Sequence, residues 1–304
     1  MSNKIIKFTV LICIILLCAC KKETSKTKVS DTPTEENYYF GQKPPSIIPE
    51  IFASGIISIN GRYEHGISFS PDLSEIYFSA NKKNEEAKIY FSKLKEKKWT
   101  PIEKANFTKG KKESEMHPFV SLSDKKIYFI ASDSISSLKV WYVNILEDSW
   151  SNATQLDSPI NNSPIFYPNQ AKNGDLYYFS LSNGKMNYAP KKNDSFSEIN
   201  NIDIEFGVHG FISSSQDFLL VNAKNNEDET RKDNDIYVYF KNKNETWTKP
   251  INLGDNVNSN FDETCPSITP DGKYLFFSRY NEEGGLSNFY WVSTEVIDKV
   301  RPTQ

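Results

Sequence analysis

A turn-plus-strand phrase recurs five times along this chain: SPDLSEIYFS at 70–79, SLSDKKIYFI at 121–130, AKNGDLYYFS at 171–180, SSSQDFLLVN at 213–222 and TPDGKYLFFS at 269–278. Repetition of this kind means that each unit buries its apolar face only against its neighbours. A second aromatic run follows every phrase: KIYFSKL (88–94), KVWYVNI (139–145), KMNYAP (185–190), DIYVYFK (235–241) and NFYWVST (288–294). After the first four, Trp99, Trp150, Phe196 and Trp247 open a further short strand, and segments such as HPFVS (117–121) and CPSIT (265–269) precede the phrases. These runs are β-branched or aromatic and bounded by Gly, Pro, Asn, Asp and Ser, the pattern of strands and turns. Nothing after the first twenty residues carries a helical period. Four strands per unit of about 51 residues predict a β-propeller.

The fifth unit lacks its last strand, because the chain ends in EVIDKVRPTQ. PEIFASGIISING (49–61) matches WTKPINLGDNVNS (247–259) in spacing, so the N-terminal segment is expected to supply the outer strand beside NFYWVST. That closure removes an open sheet edge. Residues 50–304 divide into five units of about 51, too few for six. The expected fold is all-β: a five-bladed β-propeller of four-stranded antiparallel blades, closed by an N-terminal strand completing the last blade.

The SPDG-aromatic-IYFS phrase, the DIY-type strand and the WTKP strand resemble the TolB-like, WD-related β-propeller repeat family. YFGQKPPSIIPEIFASGI, EHGISFSPD and TCPSITPDGKYLFFS resemble envelope lipoproteins of Bacteroidetes-type bacteria. The resemblance covers 38–304 and implies a propeller and an envelope setting. It implies no particular activity, because propellers host many functions. AKNGD and SSSQD in the third and fourth units depart from the SPDG pattern.

The N-terminus supplies an address. Residues 1–19 carry Lys4 and Lys7, an apolar run from Phe8 to Leu17, and Leu17-Cys18-Ala19 before Cys20. This reads as a signal peptide, too short for a comfortable bilayer span, ending in a stretch that resembles a bacterial lipobox, in which Cys20 would be the lipidated N-terminus. Residues 20–37 read as the lipidated cysteine and a flexible tether reaching roughly 20–25 Å, with the propeller over 38–304. Lys21 and Lys22 after the cysteine favour the outer membrane. Once Cys13 and Cys18 leave with the leader, Cys265 is the one free thiol, expected as a small buried hydrophobe with no disulfide and no cysteine zinc site.

Chemistry is expected at the channel mouth, where the inner strands begin. Aligning the repeats gives a column Glu64, Glu115, Ile165, Gly207, Glu263 and, two residues on, Gly66, His117, Tyr167, His209, Cys265. His65 falls between them, so all three histidines lie at inner-strand starts, and Arg62, Tyr63, Arg231 and Arg279 are expected on the same face. Convergent polar groups mark a candidate ligand site of Glu64, His65, Glu115, His117, Tyr167, His209, Glu263 and Arg279. Two readings stand side by side for the glutamates: ligand contact, or acceptance of backbone N–H groups and pairing with Arg279 or a lysine. No catalytic residue, metal or cofactor is assigned. The aromatic pairs of the phrases, such as Tyr77-Phe78 and Phe276-Phe277, read as packing between blades.

Other motifs are empty. There is no G-x-S-x-G, H-E-x-x-H or phosphate loop, and the S-x-x-K matches at 92–95 and 182–185 fall on strands or turns. The acidic stretch 225–235 lacks the calcium-loop order. A formal charge of −3 opposes nucleic-acid binding. The expected role is a lipid-anchored, non-catalytic binding or scaffold module for an envelope protein, peptide or glycan, held to the membrane through Cys20. The alternative is a carbohydrate-active or metal-dependent hydrolase using the channel-mouth acids.

Overall fold

The structure, a computed structural model, describes residues 34–225, 230–280 and 286–303. The leader, Cys20 and the tether as far as residue 33 lie outside the described residues, as does 226–229 of the acidic stretch. The described chain is a five-bladed propeller of antiparallel blades. Blade 1 runs Tyr63–Phe69, Glu75–Asn81, Lys88–Lys95, with an outer edge in two pieces, Lys98–Trp99 and Glu103–Lys104. Blade 2 is Ser114–Val120, Lys126–Ser132, Lys139–Asn144 and Thr154–Gln155; blade 3 is Ile165–Gln170, Leu176–Ser180, Lys185–Ala189 and Asn200–Asn201. Blade 4 is Val208–Ile212, Phe218–Lys224, Asn234–Phe240 and Ile251–Asn252. Blade 5 takes Glu263–Ile268, Tyr274–Tyr280 and Ser287–Ser293 from the C-terminal region and Glu50–Ile51 from the N-terminal one.

The closure expected from the sequence is present: Glu50 pairs Trp291 and Ile51 pairs Tyr290. Phe52 N–H donates to the Phe289 carbonyl at 2.9 Å, and Ser293 N–H to the Ser46 carbonyl at 2.9 Å, extending the seam on both sides. Hydrophobic burial holds the seam as much as the ladder does. Tyr39 and Phe52 are fully buried, with ring centroids 4.9 and 5.2 Å from Trp291. Phe40 stacks on Trp99 of blade 1 at 4.4 Å, so the N-terminal segment bridges the last blade and the first.

Two details differ from the expectation. Residues ahead of 38 join the propeller: Glu35–Tyr39 form a 3-10 turn anchored by Glu35 to Lys273 at 2.8 Å. The outer edge also runs on past the aromatic residue: Trp99 pairs Leu94, and Trp150 and Trp247 bridge Ile145 and Lys241. A further paired segment, Glu103–Lys104, Thr154–Gln155, Asn200–Asn201 or Ile251–Asn252, begins four residues after Trp99, Trp150, Phe196 and Trp247 respectively. The aromatic rings pack inward; Trp150, for instance, lies 5.1 Å from Phe107 and 4.8 Å from Phe91. The aromatic pairs of the phrases are buried between blades throughout, from Tyr77 and Phe78 to Phe276 and Phe277. Their bulk fills the wedge-shaped space that flat sheets leave around a ring.

Candidate functional site

Each inner strand carries one irregularity, at the same place. The pairing register slips between His65 and Ile67, Met116 and Phe119, Phe166 and Asn169, Val208 and Phe211, and Thr264 and Ser267. At each slip one residue adopts a left-handed backbone: Gly66 (φ 62°), His117 (51°), Tyr167 (54°), His209 (47°) and Cys265 (52°). These five are the second column of the sequence alignment. A bulge of this kind re-aims a side chain, and the left-handed form costs a non-glycine residue about 1–2 kcal/mol. Hydrogen bonds between blades hold it in place: His117 N–H donates to Ser79 Oγ at 2.7 Å, and Ile212 N–H to Asn169 Oδ1 at 3.0 Å.

The bulges gather the three histidines. The ring centroids of His65 and His117 are 5.0 Å apart, those of His117 and His209 6.1 Å. Gly66 makes this possible, because a Cβ there would sit 2.7 Å from His117 Nδ1. His65 Nε2 lies 3.3 Å from Asn81 Oδ1, and the amide of Asn81 is oriented by donation to the Lys82 and Glu85 carbonyls at 3.1 Å each. Asn81 Oδ1 must therefore accept, so Nε2 carries the proton and Nδ1 presents a lone pair. His209 Nδ1 lies 2.8 Å from Asn222 Oδ1; with that oxygen accepting, Nε2 presents a lone pair. His117 is different: only 2% exposed, it has no hydrogen-bond partner on either ring nitrogen. Burial pushes His65 and His209 down to about 4. His117 is held well below the ordinary histidine value by burial and by its two neighbours. The cluster is uncharged at neutral pH.

These rings floor an open cavity of roughly 530 Å³ at one end of the channel. Its apolar wall includes Met116, Leu138 and Phe166, and Tyr63, Thr264 and Tyr280 add polar edges. Ser114 Oγ, buried on the same wall, also lacks a partner. Glu85, Glu86 and Asp133 reach the rim, and no described lining residue is Lys or Arg. Cys265 lines it as a protonated thiol, raised to about 12 by burial. Among the described residues no group of three His, Cys, Asp or Glu side chains is placed to hold a metal ion.

Of the eight residues expected at the mouth, the three histidines line this cavity, whereas Glu64, Glu115, Tyr167, Glu263 and Arg279 do not. The glutamates turn back on the loops that lead into their strands. Glu64 accepts from Ile59 N–H at 2.7 Å and Arg62 Nε at 2.8 Å. Glu115 accepts from Phe107 N–H at 3.1 Å and Thr108 N–H at 2.7 Å. Glu263 accepts from Ser259 N–H at 3.1 Å and Arg279 Nε at 2.6 Å, with burial raising it to about 7. Of the two readings of these acids, backbone acceptance and arginine pairing are what the geometry contains. Tyr167 is buried, its hydroxyl donating to the Pro266 carbonyl at 2.9 Å. Arg62, Arg231 and Arg279 are likewise spent on local carboxylates and carbonyls. Sequence reasoning missed Asn81, Asn222 and Phe166; an asparagine late in a middle strand is the one signal that pointed to the first two.

No protein-family model matches the chain, and no curated protein does. Solved structures are similar in fold. The GH43 endo-arabinanase from Bacillus licheniformis aligns at TM-score 0.51 and 9% identity over 77% of this chain and 94% of that one. TolB from Acinetobacter baumannii aligns at 0.46 and 14% over 75% of this chain, which spans 54% of the length of that TolB. Oligogalacturonate lyase from Vibrio parahaemolyticus aligns at 0.45 and 11%, covering 81% and 75%. At these identities the likeness concerns the propeller fold alone.

Proposed function

We propose that this chain is a lipid-anchored binding module of the bacterial cell envelope, delivered to the outer membrane, which holds a ligand or partner group over the histidine floor of its channel mouth. The single observation that carries the binding role is His117, a buried imidazole with no partner on either nitrogen, in the floor of an open cavity. A buried polar group without a partner costs about 1–3 kcal/mol, a cost that a ligand's hydrogen bonds would offset. The contact residues of this reading are His65, His117 and His209. The envelope address rests on the signal, lipobox and tether of residues 1–37, with Cys20 as the lipidated residue. Hydrolysis receives less support, because the three glutamates it would use are engaged by backbone N–H groups and arginines outside the cavity.

The test is thermal unfolding of the detergent-solubilised full chain against peptidoglycan fragments, neutral, acidic and amino sugars, peptides and divalent cations. A ligand at ~100 times its dissociation constant adds about 2.7 kcal/mol. A shift abolished by His117→Ala supports the reading. A shift that survives that substitution, or none from any class, overturns it. Palmitate labelling lost in Cys20→Ser checks the anchor.

A further inference from the structure

The chemistry of the mouth narrows the ligand further, on the strength of the binding role just proposed. The floor offers hydrogen-bond acceptors: His65 Nδ1 presents a lone pair because the oriented Asn81 amide takes the Nε2 proton, and His209 Nε2 does so with Asn222 Oδ1 accepting from Nδ1. His117 adds one acceptor and one donor, both unpartnered, and Ser114 Oγ of the same cavity lining is unpartnered as well. The rim is acidic. Among the described residues Glu85 and Glu86 form no ion pair, and Asp133 is held by Lys112 at 2.5 Å. Lys82 and Lys83 of the same turn are exposed and do not line the cavity. Phe166, Tyr63 and Tyr280 supply aromatic wall.

An anion would meet acceptors below it and carboxylates around it, with no Lys or Arg among the described lining residues to receive it. A metal ion needs donor atoms about 2.0–2.1 Å from a single point, and no three described side chains meet that condition. An N–H donor instead needs acceptors about 2.9 Å away, a wider triangle that suits imidazole centroids 5.0 and 6.1 Å apart. We propose that the mouth receives a protonated primary amine, its ammonium group donating to the imidazole floor of His65, His117 and His209 under the unpaired carboxylates of Glu85 and Glu86. An ammonium has three donors and no acceptor, it is drawn in by an acidic rim, and aromatic faces favour a cation. The amine can come from a free alkylamine or from an amino sugar, and the two sources are separable.

The experiment measures affinity of the detergent-solubilised full chain for cadaverine, glucosamine, N-acetylglucosamine, glucose, glucuronate and zinc, the organic arms containing a chelator. Glucosamine is expected to bind roughly tenfold or more tightly than glucose or N-acetylglucosamine, which lack the charge. Cadaverine binding alongside it assigns the site to amines in general; cadaverine alone or glucosamine alone assigns the source. Glu85→Gln with Glu86→Gln weakens the amines several-fold, and His117→Leu removes them. Glucose, N-acetylglucosamine or glucuronate binding as tightly as glucosamine overturns the amine, as does saturation by zinc alone. If such a ligand still depends on His117, the binding module stands and only its ligand class falls. If no amine binds, the inference fails on its own, and the wider ligand set decides the module.

Discussion

The two ends of the channel are built from the same five strands and differ in how their polar groups are spent. At the far end a smaller cavity of about 200 Å³ is lined by residues such as Phe119, Phe211 and Ile297. There four of the five phrases begin with a hydroxyl that caps its own turn, the third beginning with Ala171. Ser70 Oγ donates to Asp72 at 2.6 Å and accepts Glu75 N–H at 2.8 Å, and Thr269 repeats the arrangement with Asp271 and Tyr274 at 2.6 and 3.1 Å. Ser213 does the same with Asp217 and Phe218 at 2.7 and 3.1 Å. No buried side-chain polar atom lining that end lacks a partner, whereas the mouth contains His117 and Ser114. A repeat-wide residue serves the ring; the mouth is where the blades stop being alike.

The largest expected effect breaks the far end. Ile297, 1% exposed, sits on the C-terminal helix Glu295–Asp298. Ile297→Ala is expected to cost about 2–5 kcal/mol in chemical denaturation with ligand affinity at the mouth unchanged. Affinity falling in step with stability would show that the two ends are one unit.

A somewhat smaller loss sharpens the division within the mouth itself. Glu115→Ala leaves the N–H groups of Phe107 and Thr108 without their acceptor, at about 1–3 kcal/mol. Ligand affinity should stay within roughly twofold, because this carboxylate faces away from the cavity. A large loss of binding with intact folding would return Glu115 to the site.

The pH dependence separates the histidines from the acids. His65 and His209 fall to about 4 in the folded protein from an ordinary 6.5, so the unfolded chain binds more protons between those values. Their contribution is present above pH 6.5 and is lost as pH falls toward 4, by up to about 1.4 kcal/mol per pH unit for each ring, less where solvent reaches it. Glu263, raised to about 7, acts in the opposite sense, losing its contribution as pH rises from 4.5 to 7. The readout is therefore a difference. His65→Gln with His209→Gln should stabilise the protein at pH 5 relative to its own value at pH 7.5, measured against the unsubstituted chain. Equal slopes would mean that the rings are not buried as neutral groups.

The ring was legible because its determinants are local. A turn followed by a β-rich run repeats in five copies, with a turn hydroxyl in all but the third and an aromatic pair in all but the fourth, and the missing fifth outer strand pointed to residues 49–61 by simple arithmetic. The alignment also found the bulge column, Gly66 through Cys265, since the same irregularity recurs at the same step. It could not tell which side chains face the channel. Strand alternation would put Glu64 and Gly66 on one face, but the left-handed residue re-aims the strand, so His65 lines the cavity while Glu64 turns to Ile59 and Arg62. Nor does a sequence reveal that Asn81 fixes the tautomer of His65, which depends on two backbone carbonyls in the following turn.

The smallest stability change carries the most information. His117→Leu removes two unpartnered buried nitrogens and keeps an apolar filler against Gly66, Phe166 and Tyr167. Losing an unsatisfied polar group offsets the change in shape, so stability is expected to move by less than about 1 kcal/mol and to rise if the fit is good. Ligand binding should disappear. A far-end residue cannot behave this way, because there every loss of a buried polar group breaks a hydrogen bond and lowers stability first. Strong destabilisation by His117→Leu would mean that the imidazole holds the mouth together, and the contrast between a saturated end and an unsaturated one would be lost.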